Sequence, residues 1–247
     1  MAFDFPSSPI IGQEFPPGAP LYDYNGTGWA VKTFFPPASV ELRFTRSLSQ
    51  HMTRLFTTTS SLAWTLSMWV KRVGLGTHQA LFGVESTTGG AGKLHISFDA
   101  SNNLTMYGGA TGNVAVAVGP TYTSTTLWLN IVWTVPAGAP SSPKFHTVKV
   151  NNGDALTAIV AGNGINNAET HYIGQPSYYP DVTMKDVVFV DGASVPSASF
   201  GQDVSGVWTP KPYSGPFGVN GFALDFNPLN LGRDFSGNGN HWTTVNF

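Results

Sequence analysis

The chain has 247 residues, 41% hydrophobic and 13% aromatic, with 7 Trp and 17 Phe, which suffices for one large β domain or two small ones. A formal charge of -2 provides no basic footprint for nucleic acid, no apolar run reaches the roughly 18 residues of a membrane helix, and Cys 0 excludes disulfides and cysteine-ligated zinc. Charged residues are only 11%, against about 25% in an average soluble domain, so the surface is built from Ser, Thr, Asn and Gly or is covered by neighbouring subunits.

Residues 1–36 read as a Pro-rich arm. The opening MAFDFPSSP has neither a basic flank nor an apolar segment, so no signal peptide is expected. Pro6, Pro9, Pro16, Pro17 and Pro20 exclude a regular interior strand. Leu21–Tyr24 and Trp29–Lys32, flanking Asn25-Gly26, predict a small hairpin. A unit this short buries little area alone, so it docks on its own domain or anchors in an adjacent subunit. Phe3, Phe5, Phe15, Tyr22, Tyr24 and Trp29 are its candidate partner-binding side chains.

From Val40 the pattern is β. Val40–Phe44 and Gln50–Thr58 precede the organising strand, Leu62–Arg72, where Leu62, Trp64, Leu66, Met68 and Val70 share one face and a mostly polar row shares the other. Ala80–Glu85, Lys93–Asp99, Leu104–Tyr107, Val114–Val118 and Trp128–Val135 follow. Phe145–Val150 turns at Asn151–Asp154 into Ala155–Val160, a hairpin signal, and His171–Gly174 and Thr183–Val190 end the series. One helical turn is expected near Val195–Phe200, with Ser197 as its cap. Residues 203–247 hold one good strand, Gly221–Phe226, and otherwise read as loop packed on or extending the body. The prediction is an all-β, two-sheet antiparallel jelly-roll sandwich over residues 37–202, with an N-terminal Pro-rich arm.

The pieces LAWTLSMWVKR, LFGVESTTGG, HISFDASNNLTMY, WLNIVWTV, KVNNGDAL and HYIGQPSYYPDVTMKDVVFVDG, spanning about residues 40–200, resemble the laminin-G-like, concanavalin-A-type jelly roll. VFVDGASVPSASFG, GVWTPKPYSGPFGVNGFALDF and DFSGNGNHWT are similar to LamG-type domains of tailed-bacteriophage virion proteins, and the opening arm is similar to arms on phage structural and tail-associated proteins. The resemblance implies a virion component exposed on the particle surface.

Jelly rolls of this shape include β-glucanases, which need paired carboxylates on one strand. The Glu residues are Glu14, Glu41, Glu85 and Glu169, and none has an Asp two residues on, so no enzyme activity is expected. Nor is there a Gly-x-Ser-x-Gly elbow, a His-Glu-x-x-His motif or a phosphate-binding glycine loop. LamG-type domains often bind calcium, and Asp234, Ser236 and Asn238 place oxygens at alternate positions before Gly239, with Asp225 available from the preceding strand. An EF-hand fails because its twelfth position is Val245. The stronger reading of these residues is local turn formation, so the expectation is no cofactor, with Ca²⁺ as the alternative. For carbohydrate, Tyr172, Tyr178, Tyr179 and Trp128 are stacking candidates, weighed against interface or core packing. His51, His78, His95, His146, His171 and His241 are dispersed and read as structural.

The leading expectation is a non-enzymatic bacteriophage virion structural protein: a capsid decoration, head fibre or tail appendage subunit. It would contact other virion proteins and form a homo-oligomer, a trimer by analogy with such appendages. The alternative is a tail adhesin recognising a host surface polysaccharide.

Overall fold

The computed structural model describes residues 40–57, 63–85, 93–109, 114–136, 144–160, 164–174 and 178–247, together with residue 27 and three strands of the arm. Those strands, β1 (Glu14–Phe15), β2 (Tyr22–Tyr24) and β3 (Trp29–Val31), form a sheet of their own in that order. Tyr24 pairs with Trp29, and the Asn25-Gly26 turn expected between them lies outside the described residues. β1 lies at the edge of this sheet. The arm's partner-binding candidates lie outside the described residues, Phe3 and Phe5 altogether and Phe15, Tyr22, Tyr24 and Trp29 in their side chains.

The body comprises β4 (Leu42–Phe44), β5 (His51–Leu55), β6 (Trp64–Arg72), β7 (Gln79–Glu85), β8 (Lys93–Phe98), β9 (Asn103–Gly109), β10 (Val114–Thr121), β11 (Trp128–Val135), β12 (Lys144–Val150), β13 (Gly153–Val160), β14 (Thr170–Ile173), β15 (Val182–Asp191), β16 (Gly201–Val204), β17 (Val207–Pro210), β18 (Phe222–Leu224) and β19 (Thr243–Val245). The first large sheet runs β13-β12-β11-β6-β15-β18, with β4 also on β15, and the second runs β10-β9-β8-β7-β14-β5-β19. Every pairing is antiparallel. No α-helix occurs among the described residues.

β6 is central, bonded to β11 on one side and β15 on the other. Trp64, Leu66, Met68 and Val70 face the second sheet and meet Phe82, Ile96, Met106 and Ile173 in one core. Burying each such side chain stabilises by about 1.5–3 kcal/mol. Trp64 adds an edge contact to Trp133 at 5.0 Å and stacks on Phe189 at 5.7 Å. The turn between β12 and β13 uses Asn151 and Asn152 at φ 50 and 67, the left-handed pair that a two-residue hairpin requires.

The polar face of β6 is buried as well: Thr65, Ser67 and Trp69 are at most 1% exposed. Residues 193–213 lie across it. Thr65 Oγ1 donates to Ala193 O and accepts from Val195 N–H. Buried Asn130 donates to Ser67 Oγ at 3.0 Å and accepts from Trp208 Nε1 at 3.1 Å. Val132, Val190 and Phe200 form a second, smaller core beneath this cover. The turn expected near Val195–Phe200 is a single 3₁₀ turn, Ser197–Ser199, preceded by Pro196. Ser197 does not cap it, because its hydroxyl donates to Asn152 instead.

Candidate functional site: an aromatic and histidine face

Alternation along the second sheet decides what its outer face presents. Met52, Leu94, Ile96, Met106, His171 and Ile173 point into the core, which turns His51, His95, Tyr107 and Tyr172 outward. His78, Tyr178 and Tyr179 come onto this face from loops. His78 stacks on Tyr178 at 3.8 Å and 17° and lies 4.4 Å from Tyr107, which stacks on His95 at 5.2 Å. His51 lies 5.5 Å from Tyr179 and 6.4 Å from Tyr172. Apart from fully buried His95, these rings are half-buried. A Cβ on Gly83 would stand 2.3 Å from that of His95, so glycine alone lets β7 and β8 approach as they do here.

The cluster has a charged rim in Asp99 and Arg46. Burial lowers the His78 pKa, Asp99 partly restores it, and Arg46, which donates to His78 O at 2.9 Å, lowers it again. Burial raises the Tyr107 pKa, helped by Asp99 and Tyr178. Burial alone would raise the Asp99 carboxyl. Hydrogen bonds from the Asn103 backbone and side chain, the Ser101 backbone and Thr105 outweigh it and hold Asp99 below its usual value. Aromatic rings beside the Asp99 carboxylate can stack on the apolar face of a ligand whose hydroxyls meet the polar rim.

Of the four stacking candidates, the structure gathers Tyr172, Tyr178 and Tyr179 and separates Trp128. Trp128 pairs with Lys71 and sits on the outer face of the first sheet, the opposite side of the sandwich. Its ring is flanked by Lys71 Nζ at 4.7 Å and Lys185 Nζ at 4.4 Å, so its faces already carry cation contacts. His51, His78, His95 and Tyr107 join the cluster although their sequence spacing reads as dispersed. The available signal was parity, since His95 and Tyr107 both occupy outward positions of alternating strands.

The calcium candidates are organised as turns. Asp234 Oδ1 accepts from the N–H groups of Ala223 and Ser236, and Oδ2 from Ser236 Oγ and Asn240 N–H, all at 2.8–2.9 Å. Asp225 Oδ1 accepts from Asn227 N–H at 3.0 Å. Asn238 turns its amide outward to the carbonyls of Gly218 and Gly221. Both Asp234 oxygens, Asp225 Oδ1 and Ser236 Oγ are therefore engaged with donors of the chain itself, and no cluster of three His, Cys, Asp or Glu fit for a metal occurs among the described residues. Ser236 and Asn238 do line an open cleft of about 540 Å³ whose other wall is residues 213–219.

No protein-family model matches the sequence, and no curated protein matches it. Among solved structures, a Bacteroides ovatus protein assigned as carbohydrate binding aligns at TM-score 0.52 and 12% identity over 85% of this chain and 59% of its own. Mouse laminin α1 domains LG4-5 align at TM-score 0.47 and 11% identity over 66% and 45%. Trypanosoma rangeli sialidase aligns at TM-score 0.46 and 15% identity over 72% and 28%. The chain thus spans less than two thirds of each of these proteins. With its two opposed seven-stranded antiparallel sheets, the chain has the laminin-G/concanavalin-A-like jelly-roll fold.

Proposed function

We propose that this protein is a non-enzymatic carbohydrate-binding module, lectin-like in its mode of recognition, that docks a sugar on the aromatic and histidine face of its second sheet. The observation that carries the reading is the convergence of Tyr107, Tyr172, Tyr178 and Tyr179 with His51 and His78 on one half-buried surface. Asp99, Thr53 and Thr170 rim it with polar groups. Stacking on ring faces suits a pyranose, whose axial C–H groups form an apolar patch.

The setting we propose is the surface of a tailed-bacteriophage particle, as a virion subunit that also recognises a host surface polysaccharide. The sequence resemblance supports it, and so does the low charge, which suits a permanent assembly with other virion proteins or with further copies of the chain. The separate arm sheet is the element proposed to make those contacts.

A glycan array followed by calorimetry tests the binding reading. Tyr178→Ala and Tyr172→Ala are expected to weaken binding about fivefold or more each, from roughly 1 kcal/mol per lost ring contact. Trp128→Ala, on the opposite face, leaves affinity unchanged. An array without a binder at high protein concentration, or a Trp128 variant that loses binding while the tyrosine variants keep it, rejects this site.

A further inference from the structure

Lys144 and His146 occupy alternate positions of β12, so both side chains enter the sandwich from one face. Each is 1% exposed. Lys144 pairs with Val160 and His146 with Ala158, and both partners are core residues. Trp133 Nε1–H donates to His146 Nδ1 at 3.0 Å, which fixes the tautomer. With Nδ1 accepting, the neutral ring carries its proton on Nε2.

Neither that Nε2 nor Lys144 Nζ has a hydrogen-bond partner among the described residues. Among the described residues no carboxylate offsets them either. Burial lowers the pKa of both groups, and the one charge acting on His146 is Lys144 itself. Two adjacent donors buried without an acceptor are costly, and side chains retained in that condition tend to mark sites of function. Their Cα atoms lie about 7 Å apart along the strand and on the same side of it.

We infer that Lys144 and His146 form a carboxylate-binding site at this end of the sandwich. The Lys144 ammonium supplies the charge and His146 Nε2–H the second donor, one to each oxygen of the carboxylate. The indoles of Trp64 and Trp133, 5.9 and 5.7 Å from the His146 ring, make the surroundings apolar. Such surroundings favour a weakly hydrated monoanion over a phosphate dianion. The site is independent of the aromatic face and stands whether or not that face binds sugar.

The test compares melting temperatures in sodium acetate and in sodium glucuronate with sodium chloride at equal ionic strength, for the wild type and Lys144→Met. The wild type is expected to gain about 3 °C or more once the carboxylate reaches tenfold its Kd. Lys144→Met gains nothing, and in chloride it melts at or above the wild type because an unpaired buried ammonium is gone. A larger response to glucuronate than to acetate supports a sugar-borne carboxylate, and an equal response supports a small free one. The inference is overturned if the wild type ignores both salts or if Lys144→Met still responds. It is equally overturned if Lys144→Met melts below the wild type in chloride, since Nζ then already has an acceptor within the chain.

Discussion

His171 is neutral by construction. Its Nδ1 donates to Glu169 O at 2.9 Å and its Nε2 accepts from Asn166 N–H at 3.2 Å, while Phe56 stacks on the ring at 3.6 Å. Burial, with Arg54 adding to it, pushes its pKa down from 6.5 to about 3 in spite of the Glu169 bond. The unfolded chain therefore takes up a proton near pH 6.5 that the folded chain refuses until about pH 3. Stability is fully present above pH 6.5 and is lost as pH falls towards 3. Urea unfolding at pH 7 and pH 4.5 is expected to show a smaller acid loss for His171→Phe than for the wild type. That variant is itself about 1–3 kcal/mol less stable at pH 7, because the Asn166 N–H loses its acceptor. Equal acid losses in both proteins would place the titration elsewhere.

At the level of elements, sequence pattern carried furthest where one face is apolar and the other polar. The alternation of Phe145–Val160 returns as alternating burial in β12 and β13, whereas β6 and β11 are buried on both faces because residues 193–213 cover the outer one. β16 and β17 were not legible: GQDV and VWTP have no alternation to read, and their hairpin forms because Ser205 and Gly206 adopt φ 55 and 82. β19 is likewise a three-residue strand with two exposed threonines, recruited by the edge of β5. The candidate site was half legible. The tyrosines were readable as aromatics near strand ends, but a sheet brings together histidines far apart in sequence, and only pairing reveals that. Gly83 offers a test of the element on which this face depends. Gly83→Val is expected to cost about 1–3 kcal/mol, through crowding of β7 against β8, and to reduce ligand binding by displacing His95 and Tyr107. Urea melts alongside calorimetry check it. A variant of wild-type stability with full affinity would show that the close approach at Gly83 is not needed.

The molecule as a whole is tied together by its last stretch. β18 lies beside β15 in the first sheet, and β19 lies beside β5 in the second. Phe222, Leu224, Phe226 and Trp242 sit in the shared core, and Trp242 N–H donates to Gly232 O at 2.8 Å. Buried Asp234 holds the connecting loop to Ala223. Removing residues 203–247 is therefore expected to abolish cooperative unfolding rather than trim a tail, read by far-UV circular dichroism and a thermal melt. A truncated chain that still melts sharply would show the body to be self-sufficient.

The pairing of Thr243–Val245 with His51–Thr53 spans nearly 200 positions of the chain. During synthesis β5 emerges nearly 200 positions ahead of the strand that covers its free edge. Until then β5 keeps a bare ladder edge, able to seize the wrong partner. Closing that edge is a long-range step, so yield in a host is expected to rise with chaperone supply and at lower growth temperature, which soluble expression at two temperatures checks.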